Sequence, residues 1–268
     1  MPATGRPFRG NACLNVLFRI ARRSQGMADL LPKRWRLPLR YRVQSAIGGL
    51  EPEVAMLPRL VARDSIALDV GANMGIYSYA LAKLARHVHA FEPQADCCEV
   101  VASWATGRNV TVHHAGVGSE PGQLVLHVPV DGGRKIGTRA SFTALEGPQL
   151  DVRVPVITID SLGLENVGFI KIDVEGFEYD VLRGATRTLH RWKPVVLVEL
   201  DRKRQSRESF DRTVSHLAGL GYAASVVDGN RLEPCSDSVW EAAAEHYNFI
   251  FTAITGDGSS RQVEPSAG

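Results

Sequence analysis

The chain reads as an α/β protein built on a parallel, doubly wound sheet, and three observations carry that reading. Short apolar runs alternate with helical stretches of ten or more residues from about residue 65 to residue 228. A glycine-rich turn, Asp69-Val70-Gly71-Ala72-Asn73-Met74-Gly75, closes the run Ser65-Ile66-Ala67-Leu68 and opens a helical pattern. An acid, Glu92, ends the second run seventeen residues past Gly75, where a nucleotide-binding unit places a partner for ribose hydroxyls.

Taken in order, residues 1–44 hold no clear core pattern, although Cys13 to Ala21 has the spacing of a basic amphipathic helix. A short helix is expected over 51–60, kept brief by Pro58. Strands are expected near 65–70, 87–92, 109–114, 168–174, 194–200, 222–228 and 246–253, and helices near 75–86, 94–105, 177–191 and 207–220. The last two strands are too close for a long crossover, so the final one is expected to be antiparallel. Two further apolar runs, Gln123 to Val128 and Val152 to Thr158, flank a polar loop, Asp131 to Gly147, long enough to cover a substrate. The division expected is a basic extension over 1–44, one domain over 45–255 and a disordered Gly/Ser/Pro-rich tail over 256–268.

The turn discriminates between cofactors. Dinucleotide folds show Gly-x-Gly-x-x-Gly against a doubly charged pyrophosphate. Here the pattern is Gly71-x-Asn73-x-Gly75-x-x-Ser78, preceded by the acidic Asp69. An acid beside the turn opposes pyrophosphate and suits a ligand with an ammonium and a sulfonium, S-adenosylmethionine. Gly71 and Gly75 supply backbone room, Asp69 and Asn73 polar contacts to the methionyl end, and Glu92 the ribose.

Composition (44% apolar, 22% charged) fits an ordinary globular enzyme. The net charge of +2 hides an asymmetry: residues 1–44 carry ten Lys or Arg against Asp29, leaving 21 basic and 28 acidic residues in the remainder. Such an arm suits an anionic membrane surface, or is simply a solvated leader. No partnership with nucleic acid is expected. Cys13, Cys97, Cys98 and Cys235 show no metal spacing, the adjacent pair Cys97-Cys98 does not suit a bridge, and no run reaches membrane-spanning length, so a cytoplasmic location is expected. The patch from Leu14 to Ile20, broken by Asn15 and Arg19, is too short for a signal-peptide core.

Residues 170–178, Ile-Lys-Ile-Asp-Val-Glu-Gly-Phe-Glu, alternate so that Lys171, Asp173 and Glu175 share one side of a strand end. Carboxyl ends of strands border the ligand crevice in open α/β sheets. Asp173 and Glu175 are therefore the candidate catalytic acids, fit to take or orient a hydroxyl proton. With Glu199 they are also the alternative ligands for a divalent metal such as magnesium. Lys171 is expected to pair with Glu199.

These segments, together with Phe91-Glu92-Pro93 and Thr158-Ile159-Asp160, resemble the FkbM family of methyltransferases over about residues 65–200. Two departures are Gln94, where many members carry Asn, and the helix bearing Cys97, Cys98 and Trp104. The resemblance implies a class I, Rossmann-like methyltransferase fold, with a seven-stranded sheet and an antiparallel last strand. It implies an S-adenosylmethionine-dependent O-methyltransferase acting on a sugar, glycolipid or secondary metabolite, hence a small-molecule or glycan acceptor. It also places Gly116 and Val117 at the adenine edge. An NAD(P)-dependent oxidoreductase and a non-catalytic cofactor-binding protein are the alternatives; the missing third glycine speaks against the first, the intact acids at 173 and 175 against the second.

Overall fold

The computed structural model describes residues 31–131, 134–135, 140–143, 147–235 and 238–254. The amphipathic stretch at 13–21 and the tail from 256 lie outside them. The chain begins with α1 (Lys33–Ala46) and α2 (Pro52–Leu60), then β1 (Ile66–Val70), α3 (Ile76–Leu81), β2 (His87–Phe91), α4 (Ala95–Ala105) and β3 (Val110–His113). There follow β4 (Gly116–Val117), β5 (Gly122–Asp131), β6 (Arg134–Lys135) and β7 (Gln149–Ile157), a 3-10 turn (Ile159–Leu162) and β8 (Val167–Ile172). The chain continues with α5 (Glu178–Arg183), α6 (Thr186–Trp192), β9 (Val195–Glu199), α7 (Arg207–Gly219), β10 (Tyr222–Asp228), β11 (Arg231–Pro234), α8 (Val239–Ala242) and β12 (Asn248–Ala253).

The main sheet has the order β11-β10-β12-β9-β8-β1-β2-β3. Strands β9, β8, β1, β2 and β3 run parallel, whereas β12 is antiparallel to both β9 and β10. This is the arrangement that the resemblance implies, with one strand more than the seven expected. The addition, β11, forms a hairpin with β10 through the two-residue turn Gly229-Asn230. Asp-Gly before Asn is a tight-turn signal, and Gly229 takes up the left-handed φ (+57°) that such turns require. All five residues of β1 are buried, as a central parallel strand demands.

Two apolar layers sandwich the sheet. Ala67, Val88, Phe169, Leu197 and Ile250 face α1–α4, while Leu68, Ile170, Val196 and Phe249 face α5–α8. The first layer includes residues that the sequence left outside any core. Helix α1 crosses the expected 44/45 boundary, and its Leu37 is fully buried. Tyr41, one turn on, packs on Tyr79, with ring centroids 4.6 Å apart, and Tyr79 reaches Trp104 at 5.3 Å. Lys83 lies over both tyrosine rings. Arginines on the outer face of α1 mask this i, i+4 apolar pair in the sequence.

The two extra apolar runs pair antiparallel as β5 and β7. The resulting arm is joined through β7 to β4, beside the carboxyl ends of β1 and β2. Because β1 lies between β2 and β8, its carboxyl end is where the sheet's winding reverses, the place where open α/β sheets hold ligands.

Candidate active site

The crevice at that reversal encloses about 550 Å³, its open mouth included. Its lining contains seven of the nine site residues read from the sequence: Gly71, Asn73, Glu92, Gly116, Val117, Asp173 and Glu175. Val70, Phe91, Pro93, Gln94, Ala115, Leu126, Ala140, Ser141, Phe142 and Val174 complete it.

Gly71 starts the turn with φ +78°, and a Cβ on it would stand 1.8 Å from the Asp173 carbonyl oxygen. That closeness follows from ladder pairing, since the Asp173 N–H donates to Val70 O at 3.0 Å. The Gly71 and Ala72 amides donate to Phe91 O, and the Asn73 amide donates to Glu92 Oε2 at 2.6 Å. Glu92 Oε1 accepts from the Gln94 amide at 2.8 Å. Glu92 is thus buried with both oxygens engaged by backbone, and burial outweighs those bonds to push its pKa up to about 7.

Asp69 and Gly75 do not line the crevice. Asp69 lies fully buried beneath the turn, accepting from Ser78 Oγ at 2.5 Å with its other oxygen 3.9 Å from Lys171 Nζ. That second oxygen, Oδ1, has no hydrogen-bond partner among the described residues. Burial raises the Asp69 pKa, and Lys171 opposes it. Gly75 ends the turn with φ +84°, and a Cβ there would meet Leu37 at 2.8 Å and Val101 at 3.0 Å. Its bareness makes room for α1 and α4, not for a ligand.

Beyond β8 the backbone leaves the extended conformation, with Glu175 at φ +54° and Gly176 at φ +100°. Strand alternation therefore stops at Asp173, yet both acids still border the crevice. Lys171 Nζ donates to Asp173 Oδ2 at 3.0 Å and to Gly71 O at 3.2 Å. Its partner is Asp173, not the expected Glu199. Burial works against its charge, but Asp173 and Asp69 outweigh that and raise its pKa. Arg204 grips both Glu175 carboxylate oxygens at 2.6 and 2.5 Å. Glu178 accepts from the Gly176 amide and from Gln205, and burial lifts its pKa to about 7. Among the described residues no group of three His, Cys, Asp or Glu side chains is arranged to hold a metal ion.

The arm closes one wall. Phe142 stands where a Cβ on Gly116 would be, with Cζ at 2.4 Å, and tilts against Phe177 at 5.2 Å. Ser141 Oγ donates to Glu175 O at 2.6 Å, fastening the arm to the turn after β8. Ser141, Phe142 and Ala140 are wall residues that the sequence pointed to only as a loop long enough to cover something, and Leu126 comes from the apolar run ahead of that loop.

The segment Thr158-Ile159-Asp160, part of the resemblance, is not part of the crevice. Asp160 caps α6, accepting from the Arg187 amide at 2.9 Å and from the Thr188 amide and hydroxyl at 2.9 and 2.7 Å.

Three carboxylates and no basic side chain line the crevice among the described residues. That donor set, with the buried Asp69 behind it, rejects a pyrophosphate and accepts a cation. The apolar slot of Phe91, Pro93, Val117 and Phe142 suits a flat base.

Comparison with known proteins gives a consistent family. The Methyltransferase FkbM domain profile matches residues 69–224. The hexuronic acid methyltransferase AglP of Haloferax volcanii is 26% identical over 149 residues, 53% of this chain and 58% of that protein. The chain thus spans less than two thirds of that relative. The crystal structure of Methyltransferase FkbM from Methylobacillus flagellatus KT aligns at 19% identity and a TM-score of 0.47, covering 85% of this chain and 57% of the other. A Streptococcus mutans protein solved in complex with SAH aligns at 12% identity and a TM-score of 0.42, covering 74% and 94%.

Proposed function

The chain belongs to the FkbM methyltransferase domain family, and from that premise we propose that it is a methyltransferase whose donor is S-adenosylmethionine and whose acceptor is a hydroxyl group of a sugar, glycolipid or secondary metabolite. One observation carries the donor: the crevice is lined by Glu92, Asp173 and Glu175 with no basic side chain among the described residues. In this reading Glu92 takes the ribose hydroxyls, Val117 and Gly116 flank the adenine, and Asn73 and Gly71 border the methionyl chain. Asp69 acts from below, adding negative potential to the turn. The bound donor would supply an already activated methyl group, so the protein's task is alignment and proton management.

Asp173 and Glu175 form the acidic wall between the donor and the approaching hydroxyl. Each carboxylate is held by a cation, Lys171 or Arg204, which fixes its direction. The sugar acceptor draws support from the relative named a hexuronic acid methyltransferase. A cytoplasmic location belongs to the same reading and rests on the cysteine pattern.

Calorimetry with S-adenosylmethionine, its demethylated product and NAD tests the donor. Binding of the first two with no heat from NAD is the expected result. Tighter binding of NAD would overturn the proposal in favour of a dehydrogenase. Transfer of labelled methyl to hydroxyl-bearing sugars then tests the acceptor class.

A further inference from the structure

The sheet aligns a polar row on its α1–α4 face at the carboxyl ends. Ladder register sets Asp69 beside Lys171, Lys171 beside Leu197, and Glu199 beside Asn248. Asp173 and Glu199 follow the last registered pair of β8 and β9, Ile172 and Val198. Glu51, just ahead of α2, closes the row from above by accepting from Tyr77 OH at 2.7 Å and Asn248 Nδ2 at 3.1 Å.

The carboxyl groups of this region differ in what they have left to offer. Glu92 accepts from two backbone amides, Glu178 from Gly176 and Gln205, and Glu51 from Tyr77 and Asn248; Arg204 holds both oxygens of Glu175, Lys171 holds Oδ2 of Asp173, and Asp69, whose Oδ1 has no partner among the described residues, is fully buried beneath the turn. The Glu199 carboxyl makes no hydrogen bond among the described residues, and it is half-buried, not sealed. A general base needs an unengaged lone pair, reach to the acceptor and a proton affinity near the working range. We propose that Glu199, at the end of β9, is the catalytic residue that takes the proton from the acceptor hydroxyl, with Asp173 and Glu175 as its electrostatic setting. This deepens the proposed function and rests on it.

The step balances simply. The hydroxyl oxygen forms its bond to the methyl carbon as the carbon–sulfur bond breaks, and the electron pair of that bond stays on sulfur. The hydroxyl proton moves to a Glu199 oxygen, and Glu199 later releases it to solvent.

The charged and titratable groups around Glu199 come from every neighbouring element. They are Lys171 and Asp173 on and after β8, Glu175 in the turn, Arg204 after β9, Glu51 ahead of α2, and Tyr247 ahead of β12. Burial first, then the Asp173 and Glu175 carboxylates, lift the Glu199 pKa to about 9 in the free protein, against the pull of Lys171. A sulfonium in the crevice favours the ionised form, so the group becomes a base when the donor is present. The neutral sulfur of the demethylated product offers no such help.

That contrast supplies a test that needs no acceptor. The side-chain carboxyl carbons are labelled with ¹³C-glutamate and titrated by NMR in the free protein and with each ligand. Glu199→Gln assigns the signal, and Glu199→Asp serves if that variant does not fold. The expected result is a pKa lowered by roughly one pH unit or more with S-adenosylmethionine but not with the demethylated product. An equal response to both ligands, or none while calorimetry records both binding, overturns Glu199 as the base and leaves the donor standing. Absence of S-adenosylmethionine binding overturns the donor and this inference with it. Methyl transfer adds a second reading: Glu199→Gln should lose on the order of 10²–10⁴-fold in turnover with unchanged donor affinity. Wild-type turnover in that variant would also overturn the role.

Discussion

A methyl group added at Gly71 should damage the protein far more than the same change at another left-handed glycine. In Gly71→Ala the new Cβ sits 1.8 Å from the Asp173 carbonyl oxygen and 2.9 Å from its carbon. Ordinary carbon–oxygen contacts lie at about 3.3–3.6 Å, so the turn and the end of β8 must separate by about 1.5 Å. Neither partner is a flexible side-chain tip: both are backbone, tied by the Asp173 amide to Val70 O at 3.0 Å. The left-handed φ of +78° adds its own cost of about 1–2 kcal/mol for a residue with a Cβ. With overpacking strain of about 1–3 kcal/mol, the total is about 2–5 kcal/mol. Gly107 provides the control, because its φ is +73° while a Cβ there meets nothing within 4 Å. Gly107→Ala should show the conformational cost alone. Guanidinium denaturation of the two variants measures the difference from their midpoints at equal slope. Equal destabilisation would refute the claim that the turn is pressed against β8, as would a Gly71→Ala variant with normal stability and donor binding.

Replacing Glu92 by Ala should weaken S-adenosylmethionine binding by roughly one to two orders of magnitude, since a charge-assisted hydrogen-bond pair contributes about 1.5–3 kcal/mol. Calorimetry on the folded variant checks it, and unchanged affinity would remove Glu92 from the ribose. Glu178, with its pKa raised from 4.5 to about 7 in the fold, makes the folded protein hold a proton that the unfolded chain has released. Its contribution is therefore fully present below about pH 4.5 and lost as pH rises towards 7. Glu178→Gln should gain on wild type across that window, by up to about 1.4 kcal/mol per pH unit; denaturation at several pH values reads the difference, and a pH-independent gap would refute it. Asp160→Ala, which strips the cap from α6, should cost about 1–2 kcal/mol by thermal or chemical unfolding and leave donor affinity intact.

What could be read in the sequence was whatever local chemistry spells out. Period-two and period-3.6 patterns are local, so most strands and helices lie within two residues of their expected ends. Glu92 and Asp173 were legible because a strand's carboxyl end is both a sequence position and a place in space. Phe142 and Ser141 were not, since they reach the crevice only through the pairing of β5 with β7, a contact no spacing reveals. Leu37 escaped because basic neighbours hide a two-residue apolar contact. Lys171 was paired with the wrong acid, since the ladder register sets Leu197 beside it and Glu199 two residues further on, while Asp173 follows on its own side of the strand. The strand β11 had a readable signal in Asp228-Gly229-Asn230, hidden by the polar composition of Arg231 to Pro234.

The position of β12 bears on how the chain acquires its structure. This strand is made last among the described elements, yet it takes a place inside the sheet, between β9 and β10. A chain emerging from its N-terminus therefore carries β9 with one side unpaired until residue 253 has been added. Four of the five residues of β9 are buried in the finished protein, Val195 to Val198, so that open side is apolar as well as hydrogen-bond hungry. Such an edge is a template for mispairing, with β10 in the wrong arrangement or with another nascent chain. Completion of the sheet is thus a single late closure, and its success depends on the final apolar segment, Asn248–Ala253, arriving before a substitute does.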